Sequence, residues 1–163
     1  MEPIEIDSEG KIQQVKMTTQ GSEGPLEAYQ RILAARACSL KGNSYIKEGS
    51  EKTFLLVNNT SGSYAGYKYI DFGEGEKPLA LKFICRIYVE SREGTINICL
   101  DHPGTPPVAI IELRDVEEKV WLDLDLQLDS IRGERALYLT FHSKAADHSL
   151  CQLNWFRFEK QRG

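Results

Sequence analysis

Residues 120–129, VWLDLDLQLD, alternate between apolar and polar side chains along the whole stretch. Successive side chains of a β-strand point to opposite faces of the sheet, so this period of two predicts a strand with one buried and one exposed face. The inward set is Val120, Leu122, Leu124, Leu126 and Leu128, and the outward set is Trp121, Asp123, Asp125 and Gln127. The stretch therefore favours an all-β fold.

The same alternation recurs in four other stretches. They are LALKFICRIYV at 79–89, GTINICLD at 94–101, RALYLTFHS at 135–143 and QLNWFRF at 152–158. In the last of these we expect Phe156 and Phe158 on one face, with Trp155 and Arg157 on the other. Gly- and Pro-rich clusters separate the strands, and no stretch has convincing helical periodicity. The pattern predicts an antiparallel β-sandwich of two sheets.

Charge and hydropathy argue against two classes of partner. The chain has 20 Lys and Arg against 24 Asp and Glu, a net charge of -4, and no basic cluster. A nucleic-acid-binding surface needs concentrated positive charge, so we expect no nucleic-acid partner. No run approaches the roughly 18 apolar residues of a membrane span, and the start, MEPIEIDSEG, lacks the features of a signal peptide. We expect a soluble protein without a membrane partner.

The cysteines and histidines show no metal-site or redox spacing. The cysteines are Cys38, Cys85, Cys99 and Cys151, and the histidines are His102, His142 and His148. Free buried thiols are the predicted state of the cysteines, although the sequence leaves a disulfide open.

The first two dozen residues differ from the rest. Residues 3–18, PIEIDSEGKIQQVKMT, read as two short extended pieces, and residues 18–25, TTQGSEGP, have the composition of a linker. We place a boundary near Gly24, which divides the chain into residues 1–24 and a β-sandwich of residues 25–163. So short a leading piece cannot bury a core of its own.

The order of five motifs resembles family 6 carbohydrate-binding modules. The motifs are GSYAGYKYIDFG at 62–73, INICLD at 96–101, VWLDLDLQL at 120–128, LYLTF at 137–141 and QLNWFRF at 152–158. The resemblance covers about residues 28–160. It implies a jelly-roll β-sandwich appended to plant-polysaccharide hydrolases, with an oligo- or polysaccharide as partner and no catalytic activity of its own.

The leading piece carries a second resemblance. Residues 7–26, DSEGKIQQVKMTTQGSEGPL, are similar to the segment by which some family 43 glycoside hydrolases leave the catalytic propeller and enter such a module. The resemblance implies that residues 1–24 are the exit segment and linker of an arabinofuranosidase or xylosidase. The catalytic domain of the same polypeptide would then be a second partner.

Modules of this family bind sugars at a loop end and on a sheet face. At the loop end, the family's aromatic Tyr and Trp and its Asn correspond here to Asn58, Glu118 and Gln152. Stacking on a pyranose ring needs an aromatic surface, and neither aromatic ring of this site is present here. Only the polar amide of Gln152 remains.

We expect a sugar contact on the sheet face instead. The resemblance places Tyr64 at the family's platform position, and strand parity adds Trp121, Asp123 and Asp125, with Tyr138 and His142. Rings stack on sugars and carboxylates accept hydrogen bonds from hydroxyls. The candidate carbohydrate-binding residues are Tyr64, Trp121, Asp123, Tyr138, His142 and Gln152. Packing against the catalytic domain, with sugar binding lost, is the alternative role of this face.

Two further chemistries are not expected. Asp123 and Asp125 share one face, but alternating Asp on a strand indicates a solvated face, so we predict no catalytic residue. The family's structural calcium uses acidic residues at positions that correspond here to Leu33, Ala35 and Asn154. Because calcium requires several hard anionic oxygens, we predict no calcium and no other cofactor.

Overall fold

The computed structural model describes Ser8 and residues 24–75, 79–145 and 147–161. The predicted exit segment therefore lies outside the described residues, apart from Ser8 and Gly24. The strands are β1 (Leu26–Glu27), β2 (Ile32–Leu33), β3 (Ser39–Lys41), β4 (Tyr45–Glu48), β5 (Phe54–Val57), β6 (Tyr64–Asp71), β7 (Leu81–Val89), β8 (Gly94–Leu100), β9 (Ala109–Glu112), β10 (Trp121–Leu128), β11 (Glu134–Ser143) and β12 (Cys151–Lys160). Three single 3-10 turns lie at Ala34–Arg36, Ser50–Lys52 and Leu113–Asp115.

The strands form two six-stranded sheets packed face to face. Sheet 1 has the order β1-β6-β11-β8-β9, with β3 also pairing with β6. Sheet 2 has the order β10-β7-β12-β5-β4, with β2 also pairing with β12. The pairs are antiparallel except β1 with β6, which is parallel. The predicted all-β jelly-roll sandwich is confirmed. No helix in the described ranges is long and apolar enough to cross a membrane.

The apolar side chains of the alternating strands meet between the sheets. In β12, Phe156 and Phe158 are buried, and their rings contact Tyr67 and Phe72 respectively at centroid distances of 4.9 Å. Trp155 lies on the other face, under the guanidinium of Arg31 at 4.3 Å. The terminal strand is thus central in sheet 2, which explains its aromatic content. At the ends of the predicted strands, Leu79 and Val120 lie outside β7 and β10 and are exposed.

The thiols follow the same burial pattern. Cys85, Cys99 and Cys151 are buried, and Cys38 is half-buried. Burial raises the pKa of the Cys85 thiol to about 12, since a thiolate loses its hydration inside the protein. Burial also raises the pKa of Cys99 and Cys151, so these three buried cysteines are small core residues rather than reactive groups.

Candidate functional site

The loop end brings together two of the three positions that correspond to the family's first sugar site. Asn58 and Gln152 line a pocket of about 160 Å³, together with Tyr45, Lys47, Val57, Glu90 and Ser149. Gln152 Nε2 donates to Glu90 Oε1 at 3.0 Å, and the Ser149 hydroxyl donates to the other oxygen of this carboxylate. The polar groups at the base of the pocket therefore hold one another in place.

Asn58 has the backbone conformation expected of a tight loop residue. Its φ is 57°, in the left-handed region that Asn tolerates better than most residues, and its side-chain amide donates to the Asn43 carbonyl at 3.1 Å. Glu118, the third position, pairs with Arg92 Nε at 3.6 Å. Neither side chain presents a stacking surface. Tyr45 presents an exposed ring at this end. Sequence reasoning missed it because only the positions that correspond to the family's sugar-binding residues were considered.

The outer face of sheet 1 carries Tyr64 and Tyr138. Their rings meet edge to face, with centroids 5.6 Å apart and planes at 85°. Tyr138 is buried because its ring lies across Gly66, where a Cβ would come within 2.6 Å of Tyr138 Cε1. Tyr64 remains half-exposed, with Lys41 Nζ 5.9 Å from its centroid. Tyr64 is thus the ring available to a ligand, and Tyr138 fixes its orientation.

Polar side chains continue this face towards β8. His142 Nε2 and Thr140 Oγ1 are 2.9 Å apart, and these residues pair with Thr95 and Asn97 of β8. Both β8 residues are partly exposed. Sequence reasoning based on aromatics missed them, although they are the polar positions on either side of Ile96 in the alternating stretch.

An open groove of about 780 Å³ extends this face at its loop end. Its lining residues are Ser61, Arg92, Glu93, Gly94, Thr95, Glu112, Arg114, His142, Ser143, Lys144 and Ala145. The groove shares His142 and Thr95 with the face that carries Tyr64. The two features therefore form one continuous surface, which runs from an aromatic ring to hydroxyl, imidazole and charged groups.

The outer face of sheet 2 carries Trp121 and Asp123. Trp121 packs against Tyr88 with ring centroids 5.6 Å apart. Asp123 lies 3.1 Å from Arg86 Nη1, and Asp125 lies 3.0 Å from Lys82 Nζ. The two carboxylates that the sequence offered as acceptors for sugar hydroxyls are therefore engaged in cross-strand ion pairs.

The five candidates expected on one sheet face do not share a surface, which corrects the single face expected from parity. Tyr64, Tyr138 and His142 lie on β6 and β11 of sheet 1, whereas Trp121 and Asp123 lie on β10 of sheet 2. Gln152 is on β12, at the loop end of sheet 2. Parity tells which side of a strand faces outward, but each sheet of a sandwich has its own outward face.

The positions that correspond to the family's calcium ligands lie close together, but their side chains lack the acidic oxygens that bind calcium. Leu33 pairs with Trp155, the residue after Asn154, and Ala35 follows in the adjacent 3-10 turn. Leu33 and Ala35 have no oxygen in their side chains, so these residues do not fit a calcium ion. Across the described ranges, no group of three His, Cys, Asp or Glu side chains is arranged to hold a metal.

We expect calcium to leave the stability of this domain unchanged. If an ion bound the native state, a free concentration of about 100 times its Kd would add about 2.7 kcal/mol to the free energy of unfolding. The measurement is thermal unfolding in millimolar calcium and in EDTA, with magnesium as the control cation. A melting temperature several degrees higher in calcium alone would contradict the prediction.

Comparisons with known proteins agree with this geometry. The profile of the family described as carbohydrate binding module (family 6) matches residues 34–160. A family 6 module from Clostridium cellulolyticum, solved with xylose, superposes with a TM-score of 0.69 at 24% identity, over 82% of this chain and 99% of that one. The module CsCBM6-3 from Clostridium stercorarium, solved with cellobiose, gives 0.69 at 21% identity, over 85% and 98%.

A larger protein also matches. A family 43 arabinoxylan arabinofuranohydrolase from Bacillus subtilis, solved with cellotetraose, gives a TM-score of 0.71 at 16% identity, over 98% of this chain and 33% of that enzyme. No curated protein sequence matches significantly. The profile match spans most of the chain and coincides with the two-sheet sandwich described above. The chain accordingly belongs to carbohydrate-binding module family 6.

Proposed function

We propose that the chain is a non-catalytic module that binds xylan- or arabinan-type polysaccharide on the outer face of sheet 1. The observation that carries the proposal is Tyr64, a half-exposed ring held edge to face by Tyr138 at 5.6 Å. A pyranose ring presents C–H groups to such a surface, and a ring that is already held loses little conformational entropy on binding.

The neighbouring polar row supplies the hydrogen bonds. Asn97 and His142 offer an amide and an imidazole near the ring, which suits vicinal sugar hydroxyls, and the buried Thr140 hydroxyl holds the imidazole at 2.9 Å. The open groove next to them leaves room for a chain longer than one sugar. One stacking ring and a few solvent-exposed hydrogen bonds correspond to weak affinity, with a Kd of about 10 μM to 1 mM.

A role as an ancillary module of a family 43 glycosidase accompanies this proposal. It rests on the resemblance of residues 7–26 to a propeller exit segment, and the likeness to the Bacillus subtilis enzyme is compatible with it. By binding the polysaccharide, the module would keep the attached catalytic domain close to its substrate. The ion pairs of Asp123 and Asp125 with Arg86 and Lys82 support a non-catalytic role, because both carboxylates are engaged and exposed.

The proposal predicts that Tyr64→Ala weakens binding of xylohexaose roughly fivefold or more, through loss of the stacking surface. The control is Phe54→Ala, which removes another exposed ring, on the edge of sheet 2. NMR titration would measure affinity and locate the shifts. We expect them at Tyr64, Asn97 and His142. Unchanged affinity in Tyr64→Ala, or no binding of xylo- and arabino-oligosaccharides at all, would instead favour a structural module that has lost sugar binding.

A further inference from the structure

The outer face of sheet 1 carries an ammonium group beside its exposed ring. Lys41 of β3 pairs with Tyr64 of β6, and Lys41 Nζ lies over the tyrosine ring, 5.9 Å from its centroid. Lys41 is exposed, and it forms no ion pair with any acidic side chain that the structure describes. Electrostatic interaction and a hydrogen bond with Tyr138 raise the pKa of Lys68, an exposed lysine further along β6. The surroundings of Tyr64 are therefore positively charged.

The basic side chains on the outer face of sheet 2 differ in having acidic partners. Lys82 Nζ lies 3.0 Å from Asp125, and Arg86 Nη1 lies 3.1 Å from Asp123. Both pairs join β7 to β10, so each cation is neutralised by the neighbouring strand. The chain has 24 acidic residues against 20 basic ones, so acidic partners are not scarce. The lysine beside Tyr64 is thus a charge that is available to a ligand.

The other edge of sheet 1 carries the opposite charge. Glu112 lies on β9, and the strand order β3-β6-β11-β8-β9 separates it from Lys41 by four strand spacings, roughly 19 Å. Glu93, Glu112 and Lys144 line the open groove, and none of the three is ion-paired within the described ranges. The other charged side chains of the groove are paired, Arg92 with Glu118 and Arg114 with Asp115. Carboxylates therefore outnumber ammonium groups among the unpaired charges of the groove, which disfavours an anionic ligand group there.

We propose that the sheet 1 site selects xylan-type polysaccharide that carries uronic acid groups. A sugar ring stacks on Tyr64, and the carboxylate of that sugar or of its side group pairs with the Lys41 ammonium. The proposal rests on the sugar-binding function proposed above for the same face, and it adds the charge of the ligand.

The distance between the ring and the ammonium fits this arrangement. Carbon atoms in contact with an aromatic ring lie roughly 4 Å from it. An ammonium 5.9 Å from the ring centroid is then within hydrogen-bonding reach of an oxygen on the stacked sugar. The groove carboxylates favour one direction of the chain. The acidic sugar lies at Tyr64, and the uncharged sugars extend across β11 and β8 towards Glu112.

The experiment compares three ligands of the full chain by calorimetric titration. They are a xylo-oligosaccharide with one glucuronic acid side group, the methyl ester of the same compound, and xylohexaose. The ester keeps the shape of the acid and removes its charge. At low salt the acid should bind roughly threefold more tightly than the ester, which is the effect of one exposed ion pair. The preference should largely disappear in about 0.5 M NaCl, because salt screens exposed charges.

Two lysine variants identify the group that carries the preference. Lys41→Gln should bring the affinities for the acid and the ester together. Lys160→Gln is the matched control, because Lys160 also lies over a tyrosine ring, that of Tyr29 at 4.6 Å, but on the last strand of sheet 2. It changes the net charge of the chain by the same amount and should leave the preference for the acid intact.

The outcomes separate this inference from the proposed function. Equal affinity for acid and ester, or a preference that persists in Lys41→Gln, overturns the inference, while binding of xylohexaose at Tyr64 leaves the proposed function standing. Binding of the acid alone supports the inference and restricts the function to acidic chains. If none of the three ligands binds, both proposals fail. Should Lys41→Gln not fold, as judged by circular dichroism, the comparison of acid with ester at low and high salt decides the question in the wild type.

Discussion

Phe156→Ala should lower the free energy of unfolding by about 3–5 kcal/mol, which is the cost of removing a buried phenylalanine and leaving a cavity. Phe156 is 1% exposed and lies where the two sheets meet. Its ring packs edge to face on Tyr67 of sheet 1 at 4.9 Å and stacks on Phe83 of β7 at 5.7 Å. Because its neighbours belong to both sheets, they cannot close the gap without moving one sheet relative to the other.

Phe54→Ala is the matched control for this loss. Phe54 is 48% exposed, so the same truncation should change the unfolding free energy by only about 0.5 kcal/mol. Urea denaturation of the two variants and the wild type measures the difference directly. For a chain of this size the Phe156 variant should also melt roughly 10 °C lower. A loss below about 1 kcal/mol in Phe156→Ala would mean that β12 is not the central core strand described here.

Stability should fall steeply as pH rises above about 9, the ordinary thiol value. Burial raises the pKa of Cys85 to about 12, and burial also raises the pKa of Cys151 and of Tyr67. The Tyr67 hydroxyl donates to the Ala34 carbonyl at 2.7 Å, which also favours its protonated form. All three groups stay neutral in the folded protein while their unfolded counterparts lose protons.

The direction of this pH dependence follows from the difference in pKa between the folded and unfolded states. The unfolded state releases protons first, so the contribution of each group is fully present below its unfolded pKa and is lost as pH rises towards the folded value. For Cys85 this window runs from about 9 to about 12, with a loss of about 1.4 kcal/mol per pH unit. Urea denaturation between pH 7 and pH 11 measures the slope. Cys85→Ala should reduce the slope by the contribution of one proton. An unfolding free energy that stays constant up to pH 11 would contradict the burial of these groups.

Local pattern was sufficient for the strands and their inward faces. The leucines of β10 and the phenylalanines of β12 face the core because a strand alternates with a period of two, whatever it pairs with. Strand ends were less predictable. Val120 continues the alternation but lies before β10 and is exposed, because pairing with β7 begins at Trp121.

The candidate site was only partly predictable. Tyr64 and Tyr138 were correctly expected on one outward face, and the structure shows that Gly66 seats the second ring. Tyr45, Tyr88, Asn97 and Thr95 were missed. Their roles depend on which strands are neighbours, and that information is not carried by any one of the stretches that contain them.

The sequence alone determined the fold class, the family resemblance and the inward face of each long strand, because each of these depends on local patterns and on their order along the chain. Only the tertiary structure decided that Tyr64 and Trp121 lie on opposite faces of the sandwich and that Asp123 and Asp125 are ion-paired. Strand order and register arise from packing two sheets on one core, so they appear only when residues far apart in sequence become neighbours.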